Sequence, residues 1–501
     1  MWYSIQHNAG CELVRRDRIR SHYTVGMNIE KYDLAIIGSG SGNSLITPDW
    51  DDKKVAIIDS GVFGGTCLNV GCIPTKMFAY PSQLASTPAD AARLGVDMDF
   101  QSADWPAIRD RIFSRIDAIS DGGKHYRDVE LDHTTLITEE VRFSGPKQLT
   151  TTSGRVLEAE HIVIAAGSRP SLPEVPGTSL SGVHTSDTVM RLEELPKRII
   201  IVGGKYIGSE FAAIFAGLGS EVIQVNRSGQ LLSSHDKTVS ERFTRHAQKQ
   251  WQLALNRTLH SIEANGDQLR INVTATGQNS DDVVESFTGD VVLLATGRFP
   301  NTDRLNLEAA DIDLAGDVIA RDEYLRVLSN GQPLENVWAI GDISNPEMLK
   351  HVANHEQRVV SHNLANPANM KPDTLGPIPA GVFTRPQIAS TGLTEDEARA
   401  QFGQDAISVK VQEYGDTAYG WAMEDSGSFV KLIANKSTGL LLGAHIMGPE
   451  ATNLLQPIIT AMSFGITAHQ MARGQYWIHP AMAEVIENAL LGLEVQDSGL
   501  L

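Results

Sequence analysis

Two cysteines with a defined spacing are the residues of this chain best suited to chemistry. Cys67 and Cys72 lie five residues apart in the segment 64–76, GGTCLNVGCIPTK. In a regular α-helix, Cα atoms five residues apart are separated by about 8.7 Å, whereas a disulfide tolerates at most about 7 Å. A helix through this segment must therefore be irregular, which Asn69 and Gly71 permit. The pair is typical of a dithiol that is oxidised and reduced in turn, rather than of a structural crosslink.

A glycine-rich turn before the cysteines predicts a dinucleotide site. The apolar run 34–37 leads into GSGSGN, which contains Gly38 and Gly40. A second apolar run, 55–58, ends at Asp59, whose carboxylate is expected to take ribose hydroxyls. Glycines in such a turn let backbone amides approach a pyrophosphate at a helix N-terminus.

Two residues depart from this dinucleotide pattern. Asn43 occupies the third glycine position. Pro48 is expected to shorten or kink the helix that follows the turn, because proline lacks an N–H group and clashes with the preceding turn of the helix.

The same pattern recurs later in the chain. The run 198–202 leads into GGKYIG, with Gly203 and Gly208 at the first and third glycine positions, then a helical stretch and the strand 221–225. Lys205 stands at the second position, where the backbone should approach a pyrophosphate. A side chain there is expected to obstruct the ligand and lower its affinity.

The residues after the strand 221–225 indicate which nicotinamide cofactor is used. Asn226 and Arg227 stand where an acidic residue would select NAD. An arginine accommodates a 2′-phosphate, so NADPH is preferred to NADH. Two such units and a dithiol suggest an electron relay from nicotinamide through a flavin to Cys67 and Cys72.

A histidine near the other end of the chain could supply protons. Pro480 suits the first position of a helix, which would place His479 at the helix cap. Glu484 follows after about one and a third turns and could hold one ring nitrogen. Such a pair forms a general acid–base that can protonate a leaving thiolate.

Composition excludes several other classes of protein. The chain has 501 residues, 42% of them hydrophobic, and a net charge of −19, which argues against nucleic acid or an anionic membrane as the main partner. Three cysteines do not form a secreted disulfide framework, so the cytoplasm is expected. No apolar run is long enough to span a membrane. His351 and His355 lack a third ligand, so no metal site is expected.

These motifs together resemble the flavoprotein pyridine-nucleotide disulfide oxidoreductases, over residues 32–493. Besides the redox segment, the resemblance rests on AAG at 165–167, ATGR at 295–298, AIGD at 339–342, and His479-Pro480 with Glu484. Within the family, the chain is similar to the members that reduce mycothiol disulfide. That similarity rests on GSGSGNS at 38–44, LKHVANHE at 349–356, YGWAMED at 419–425 and ARGQYWIHP at 472–480.

The resemblance implies a role for each matching residue. Cys67 resembles the thiol that attacks the substrate, and Cys72 the thiol beside the flavin. Lys76 would lie near the flavin, paired with Glu210. His479 and Glu484 would act across a dimer interface on the partner's Cys67. The implied FAD contacts are Gly38, Gly40, Asn43, Asp59, Gly65, Thr66, Lys76, Gly167, Asp342 and His351; the implied NADPH contacts are Gly203, Lys205, Tyr206, Gly208, Arg227 and Gly297.

The resemblance also implies an α/β fold and a homodimer. Two Rossmann-like dinucleotide-binding domains, for FAD and NADPH, would precede a C-terminal α+β dimerisation domain. The predicted bounds are 27–170 with 297–372 for FAD, 171–296 for NADPH and 373–501 for the interface. Residues 1–26 are predicted to be a disordered extension or a misassigned start, with Cys11 outside the chemistry.

Two alternatives stay open from the sequence. An NAD-linked dihydrolipoamide dehydrogenase is similar, although Arg227 disfavours it. A flavin-binding protein with an impaired nicotinamide site, serving as a partner or scaffold, is favoured only by Lys205.

Overall fold

A computed structural model describes residues 29–277, 282–374, 376–497 and 499. The predicted extension 1–26, with Cys11, lies outside the described residues. Within those ranges, none of the helices combines the length and the apolar character that crossing a membrane requires.

The first sheet is built around a strand that is buried along most of its length. Residues 34–37 are all buried, as expected for a parallel strand covered on both faces. This strand pairs in parallel with β2 on one side and β6 on the other. The elements are β1 Ile29–Ile37, β2 Val55–Ile58, α1 Gly65–Asn69, α2 Cys72–Ala85, α3 Thr87–Arg93, α4 Trp105–His125, β3 Thr134–Ile137, β4 Val141–Gly145, β5 Gln148–Thr151, β6 Val156–Ile164 and β7 Ser168–Pro170.

The connection from β1 to β2 differs from the expected helix. It consists of two short 3₁₀ turns, Ser41–Leu45 and Pro48–Trp50. Thr47 is extended, at φ −109° and ψ 171°, because the residue before a proline is disfavoured in the helical region. Pro48 therefore ends the first turn and begins a second one, rather than kinking a longer helix.

The second unit is another parallel sheet, in the order β11-β10-β9-β15-β8. A small antiparallel sheet, β12-β13-β14, packs beside it. The elements are β8 Val183–His184, β9 Arg198–Val202, α5 Tyr206–Gly217, β10 Glu221–Asn226, α6 Lys237–Ala247, β11 Gln252–Leu255, β12 Arg257–Asn265, β13 Gln268–Ala275, β14 Glu285–Gly289 and β15 Val291–Leu294.

The chain then returns to the first sheet. Strand β20 pairs in parallel with β6, and β16 pairs with β7, so distant segments of the sequence complete one unit. The predicted domain bounds remain a prediction. The elements are β16 Arg298–Pro300, β17 Leu314–Ala315, β18 Val318–Ile319, β19 Arg326–Ser329, β20 Gln332–Ala339 and α7 Lys350–Ala365.

An antiparallel sheet covered by helices forms the last unit. Its strand order is β21-β22-β25-β24-β23, and α10, α11 and α12 pack on it around a buried apolar core. The elements are β21 Pro379–Val382, β22 Ile388–Gly392, α8 Glu395–Phe402, β23 Ile407–Glu413, α9 Ala418–Ala422, β24 Phe429–Asn435, β25 Leu441–Met447, α10 Ala451–Phe464, α11 Ala468–Arg473 and α12 Glu484–Leu491.

A buried ion cluster joins the second unit to the last one. Lys431 on β24 is 2% exposed, and its Nζ lies 2.8 Å from Oδ1 of Asp236, which caps α6 and is 1% exposed. Nζ also lies 2.7 Å from Oε2 of Glu395. Burial alone would raise the pKa of Asp236, but hydrogen bonding, above all from Lys431, holds that pKa below its usual value. The carboxylate therefore stays charged and depends on the lysine.

Lys431→Met is expected to destabilise the protein by about 3–5 kcal/mol, because it leaves a buried carboxylate without its partner. Unfolding by guanidinium, followed by fluorescence, measures the loss. Lys436→Met is the matched control, since Lys436 lies 3.8 Å from the exposed Glu494 and such pairs contribute about 1 kcal/mol or less. Equal stability of the two variants would contradict the importance of the cluster.

Candidate active site

A cavity of about 600 Å³ lies at the carboxyl ends of strands β1, β2, β6 and β20, where ligands bind in open α/β sheets. The turn after β1, the helices α1 and α2, and the first residues of α5 and α7 surround it. It brings together twelve of the residues singled out in the sequence: Gly38, Gly40, Asp59, Gly65, Thr66, Cys67, Cys72, Lys76, Gly167, Tyr206, Glu210 and Asp342.

The helix is interrupted between the two cysteines, as their spacing requires. Helix α1 ends at Asn69 and α2 begins at Cys72. Gly71 passes so close to α1 that a Cβ atom there would lie 2.9 Å from the carbonyl oxygen of Thr66. Asn69 itself remains helical, and its Nδ2 donates to the carbonyl of Phe63 at 2.9 Å. The break is therefore made by 70–71, while Asn69 braces the turn before it.

The two thiols differ in acidity. A hydrogen bond with Cys67 lowers the pKa of Cys72 to about 7, burial opposes this, and the charge of Lys76 supports it. That same hydrogen bond and burial raise the pKa of Cys67. The arrangement favours a Cys72 thiolate that accepts a hydrogen bond from the Cys67 thiol.

Lys76 forms an ion pair with a carboxylate from the second unit. Its Nζ lies 2.8 and 2.9 Å from the two oxygens of Glu210, which is 5% exposed. The backbone N–H of Phe383 also donates to Glu210 at 2.8 Å. Helices α2 and α5 pack together at this point, so the pair joins the cysteine helix to the second unit.

The glycine turns form a cradle that suits the pyrophosphate of FAD. A Cβ atom on Gly65 would come 2.7 Å from the Cα of Gly40, so two backbone turns meet beside the cavity. At the end of β2, Asp59 accepts hydrogen bonds from the N–H groups of Ser39 and Gly61, both at 2.8 Å. The residues present therefore fit a dinucleotide, with backbone amides and a carboxylate where the phosphates and ribose require them.

Sequence reasoning missed two residues beside Asp342. Its Oδ2 accepts a hydrogen bond from Ser168 Oγ at 2.6 Å. Arg298 Nε donates to the same hydroxyl at 2.8 Å, and both Ser168 and Arg298 line the cavity. Arg298 belongs to the ATGR motif, but the motif alone does not say that its guanidinium turns back to the first unit.

Two residues predicted to contact FAD do not line the cavity. Asn43 Oδ1 accepts a hydrogen bond from Arg127 Nε at 2.8 Å, which ties the first 3₁₀ turn to the segment after α4. His351 Nε2 lies 2.8 Å from the carbonyl oxygen of Pro379. The structure therefore gives both side chains protein partners at the edge of the site.

The second nucleotide turn is packed tightly at its third glycine. A Cβ atom on Gly208 would lie 2.2 Å from the carbonyl oxygen of Gly203. Lys205 is extended, at φ −85° and ψ −174°, a conformation open to any residue, and it is exposed. The fold therefore tolerates the lysine, and the lysine is expected to affect the binding of the ligand rather than folding.

Of the six residues predicted to bind NADPH, Tyr206 lines the cavity and the other five do not. Arg227 follows β10, is exposed, and has no ion pair in the part of the chain that the structure describes. A Cβ atom on Gly297 would have no neighbour within 4 Å. The side chain of Asn226 instead holds the turn after β10, donating to the carbonyl of Gln230 at 2.8 Å.

His479 and Glu484 are in contact, through Nδ1 and Oε1, but not in the predicted helical setting. Helix α12 begins at Glu484 itself and its N-cap is Ala483, so the expectation that His479 caps a helix is wrong. Pro480 lies in the turn before α12, four positions ahead of the first helical residue. The His479 side chain is 72% exposed and does not line the cavity that holds the cysteines.

Comparison with known families covers most of the chain. Residues 32–357 match the family model of pyridine nucleotide-disulphide oxidoreductases. Residues 378–490 match the dimerisation domain of that family. The predicted fold class, two dinucleotide-binding units followed by a dimerisation domain, is confirmed.

Individual relatives span nearly the whole chain. Mycothione reductase of Mycobacterium tuberculosis strain H37Rv is 48% identical over 477 residues, covering 93% of this chain and 100% of that protein. Glutathione reductase of Burkholderia cepacia is 33% identical, covering 90% and 97%. The solved Cu(II) complex of a HOCl-induced flavoprotein disulfide reductase from Escherichia coli superposes with a TM-score of 0.79 at 25% identity, covering 92% and 99%.

Lys205→Gly is expected to lower the Michaelis constant for NADPH by about three- to tenfold, because the variant frees the place where the backbone meets the pyrophosphate. Steady-state kinetics at varied NADPH concentration measure it. Lys237→Ala serves as the control, since Lys237 is an exposed lysine on α6. An unchanged Michaelis constant in Lys205→Gly would remove the hypothesis of obstruction.

Proposed function

We propose that this chain, which belongs to the pyridine nucleotide-disulphide oxidoreductases, reduces mycothiol disulfide with NADPH in the cytoplasm. The chain is a flavoprotein disulfide reductase, and its cofactors are FAD and NADPH. The proposed reaction converts NADPH, a proton and one mycothiol disulfide into NADP⁺ and two mycothiol molecules.

One observation carries this proposal. Cys67 and Cys72 lie in one cavity beside the Lys76–Glu210 pair, in a chain 48% identical to mycothione reductases over 477 residues. Dihydrolipoyl dehydrogenase of Chlamydia muridarum is 32% identical, which is lower than the 48% identity to mycothione reductases. The alternative that this chain is a dihydrolipoamide dehydrogenase is therefore not favoured. Mycothiol carries a sugar–inositol body without the carboxylates of glutathione, so its site needs no cluster of arginines.

The acidity of the two thiols suits them to separate roles. FAD, when bound, carries two electrons from NADPH to the Cys67–Cys72 disulfide. In the resulting dithiol, the hydrogen bond from Cys67 and the charge of Lys76 lower the pKa of Cys72 to about 7, so a large fraction of Cys72 is ionised at neutral pH. Cys67 must lose its proton to become the nucleophile, so it requires a base.

The exchange then proceeds in two balanced steps. His479 of the partner subunit takes the proton of Cys67, the Cys67 thiolate attacks one sulfur of the substrate, and the substrate S–S bond breaks as a mixed disulfide forms. The first mycothiol leaves as a thiolate and takes that proton from His479 of the partner subunit. The Cys72 thiolate attacks Cys67 Sγ and releases the second mycothiol as a thiolate, which takes from solvent the proton that the overall reaction consumes. The Cys67–Cys72 disulfide is restored, and the two electrons of the dithiol now reside in the product thiols.

The histidine is proposed to come from a second copy because its own chain holds it away from the cavity. The His479 side chain is exposed and adjoins the exposed Tyr476 and Ile478. The matched dimerisation domain, 378–490, contains all three residues. Glu484 orients the imidazole through Nδ1, leaving Nε2 for proton transfer.

The preference for NADPH rests on Arg227. Its guanidinium is exposed at the end of β10 and is not neutralised by a carboxylate in the described ranges. A free guanidinium can therefore pair with the 2′-phosphate that distinguishes NADPH from NADH.

The proposed substrate is tested by steady-state turnover of the purified flavoprotein. With NADPH, we expect mycothiol disulfide to exceed glutathione disulfide in kcat/KM by at least about a hundredfold. Cys67→Ser should lower turnover by about 10³-fold or more, because it removes the nucleophile. Cys11→Ser is the matched cysteine control and should retain activity. Faster turnover of dihydrolipoamide with NAD⁺ would overturn the substrate assignment.

The histidine assignment is tested by mixing two inactive chains. A heterodimer of one Cys67→Ser chain and one His479→Ala chain, isolated with two affinity tags, contains one intact site if the histidine acts across the interface. We expect about half of the wild-type activity per dimer, well above either variant homodimer. If His479 served its own chain, both sites would be defective and the heterodimer would be no more active than the homodimers.

A further inference from the structure

The turn after β1 lacks the helix that the dinucleotide fingerprint directs at a pyrophosphate. In that fingerprint, a helix begins at the glycine turn, and its N-terminal N–H groups and dipole face the phosphates. Here the turn leads into a five-residue 3₁₀ segment, Ser41–Leu45, and Thr47 is already extended. Because the dipole is a sum over aligned peptide units, so short a segment supplies little of it. A diphosphate in this cradle therefore needs positive charge from another element.

Lys350 places an ammonium group at this turn. It is the first residue of α7, and its Nζ donates a hydrogen bond to Ser41 Oγ at 2.8 Å. Ser41 directly follows Gly40, and Lys350, Ser41 and Gly40 all line the cavity. The lysine is 309 positions from Ser41 in the sequence, yet it lies at the cradle that suits the pyrophosphate of FAD.

The charge of Lys350 is not compensated by a neighbouring carboxylate. Among the described residues, Lys350 has no ion pair, and the first turn of α7 contains no acidic side chain. A cation is also disfavoured at a helix N-terminus, where the helix dipole is positive. Folding alone therefore gains little from a lysine here, whereas an anion bound in the cavity would balance its charge.

The other cations that line the cavity are engaged elsewhere. Lys76 is paired with a carboxylate of α5 at 2.8 Å, and Arg298 donates to the hydroxyl beside Asp342. Arg304 lies on the side of β4, because the carbonyl of the next residue accepts a backbone hydrogen bond from that strand at 2.8 Å. Lys350 is thus the cavity-lining cation that contacts the turn after β1.

Buried hydrogen bonds fix the helix that carries Lys350. The carboxylate of Glu356, which is 0% exposed, accepts the N–H of Gly341 at 2.6 Å and the Nδ2 of Asn345 at 2.7 Å. Arg321 Nη2 donates to the same carboxylate at 2.6 Å. These contacts lock α7 to the turn after β20.

A further bond ties α7 to the segment after β1. Gln357 Nε2 donates to the carbonyl of Ser44 at 2.9 Å, in the same 3₁₀ segment that contains Ser41. Both partners of the Lys350–Ser41 contact therefore belong to parts of the structure that are held together. Such preorganisation lowers the ordering cost of ligand binding.

We propose that Lys350 and Ser41 bind the diphosphate of FAD, and that α7 thereby supplies the positive charge that the short segment after β1 lacks. An ammonium and a hydroxyl can both donate hydrogen bonds to phosphate oxygens, and the bond from a cation to an anion is the stronger kind. Lys350 is a cofactor-binding residue, and no covalent or electron-transfer step passes through it. FAD binding by this pair is independent of which disulfide the enzyme reduces.

Release of FAD from the purified holoenzyme tests the proposal without any substrate. After dilution, the flavin that passes an ultrafiltration membrane is measured over time by its absorbance. We expect Lys350→Met to release FAD about 10- to 100-fold faster, because a hydrogen bond between charged groups is lost. Lys350→Arg keeps the charge and should release FAD like the parent. Lys31→Met, which removes an exposed lysine of β1, is the matched control and should leave the rate unchanged.

Phosphorus NMR of the same holoenzymes separates a contact with the diphosphate from a structural role. We expect Lys350→Met to displace the phosphorus resonances of bound FAD, and Lys31→Met to leave them in place. An unchanged release rate, or faster release with the resonances at their parent positions, would overturn the proposal. Lys350→Gln is a second neutral variant if Lys350→Met does not fold. Loss of FAD from both neutral variants during purification, with FAD retained by Lys350→Arg, would support the proposal.

Discussion

The break in the helix at 70–71 is the constraint on which the active site depends. A continuous helix would hold Cys67 and Cys72 too far apart to form a disulfide. Ending α1 at Asn69 and starting α2 at Cys72 lets the second thiol begin a new helix. The break works only because Gly71 can pass close to the Thr66 carbonyl, where a Cβ atom would clash.

Charge is then distributed unequally between the two thiols. The Lys76–Glu210 pair comes from α2 and the second unit, and it accompanies a Cys72 whose pKa is lowered to about 7. Cys67 has the higher pKa, because its hydrogen bond with Cys72 and its burial both raise that pKa. A dithiol that exchanges electrons on two sides needs this asymmetry, because one thiolate must persist while the other forms only for attack. The first unit thus supplies the lysine beside Cys72, and the second unit supplies its carboxylate partner.

Much of this arrangement follows from local sequence patterns. The strands 34–37 and 198–202 are continuous apolar runs, which parallel strands buried on both faces require, and both are strands in the structure. The helix after β1, which Pro48 was expected to shorten or kink, is replaced by two short 3₁₀ turns, because Thr47 precedes a proline and is held extended. The expected helix cap at His479 was wrong because α12 starts at Glu484, beyond the reach of a short motif around Pro480.

Local sequence patterns indicate the chemistry, since the cysteine spacing, the two glycine turns and the pair His479 and Glu484 are short features whose residue types limit what they can do. Which side chains share a cavity depends on the tertiary structure. Several contacts in the cavity join residues that are far apart in sequence: Ser168 with Arg298 and Asp342, and Lys350 with Ser41. These contacts form because β20 pairs with β6 and α7 packs on the first 3₁₀ turn. Such contacts depend on packing between distant segments, which no local pattern encodes.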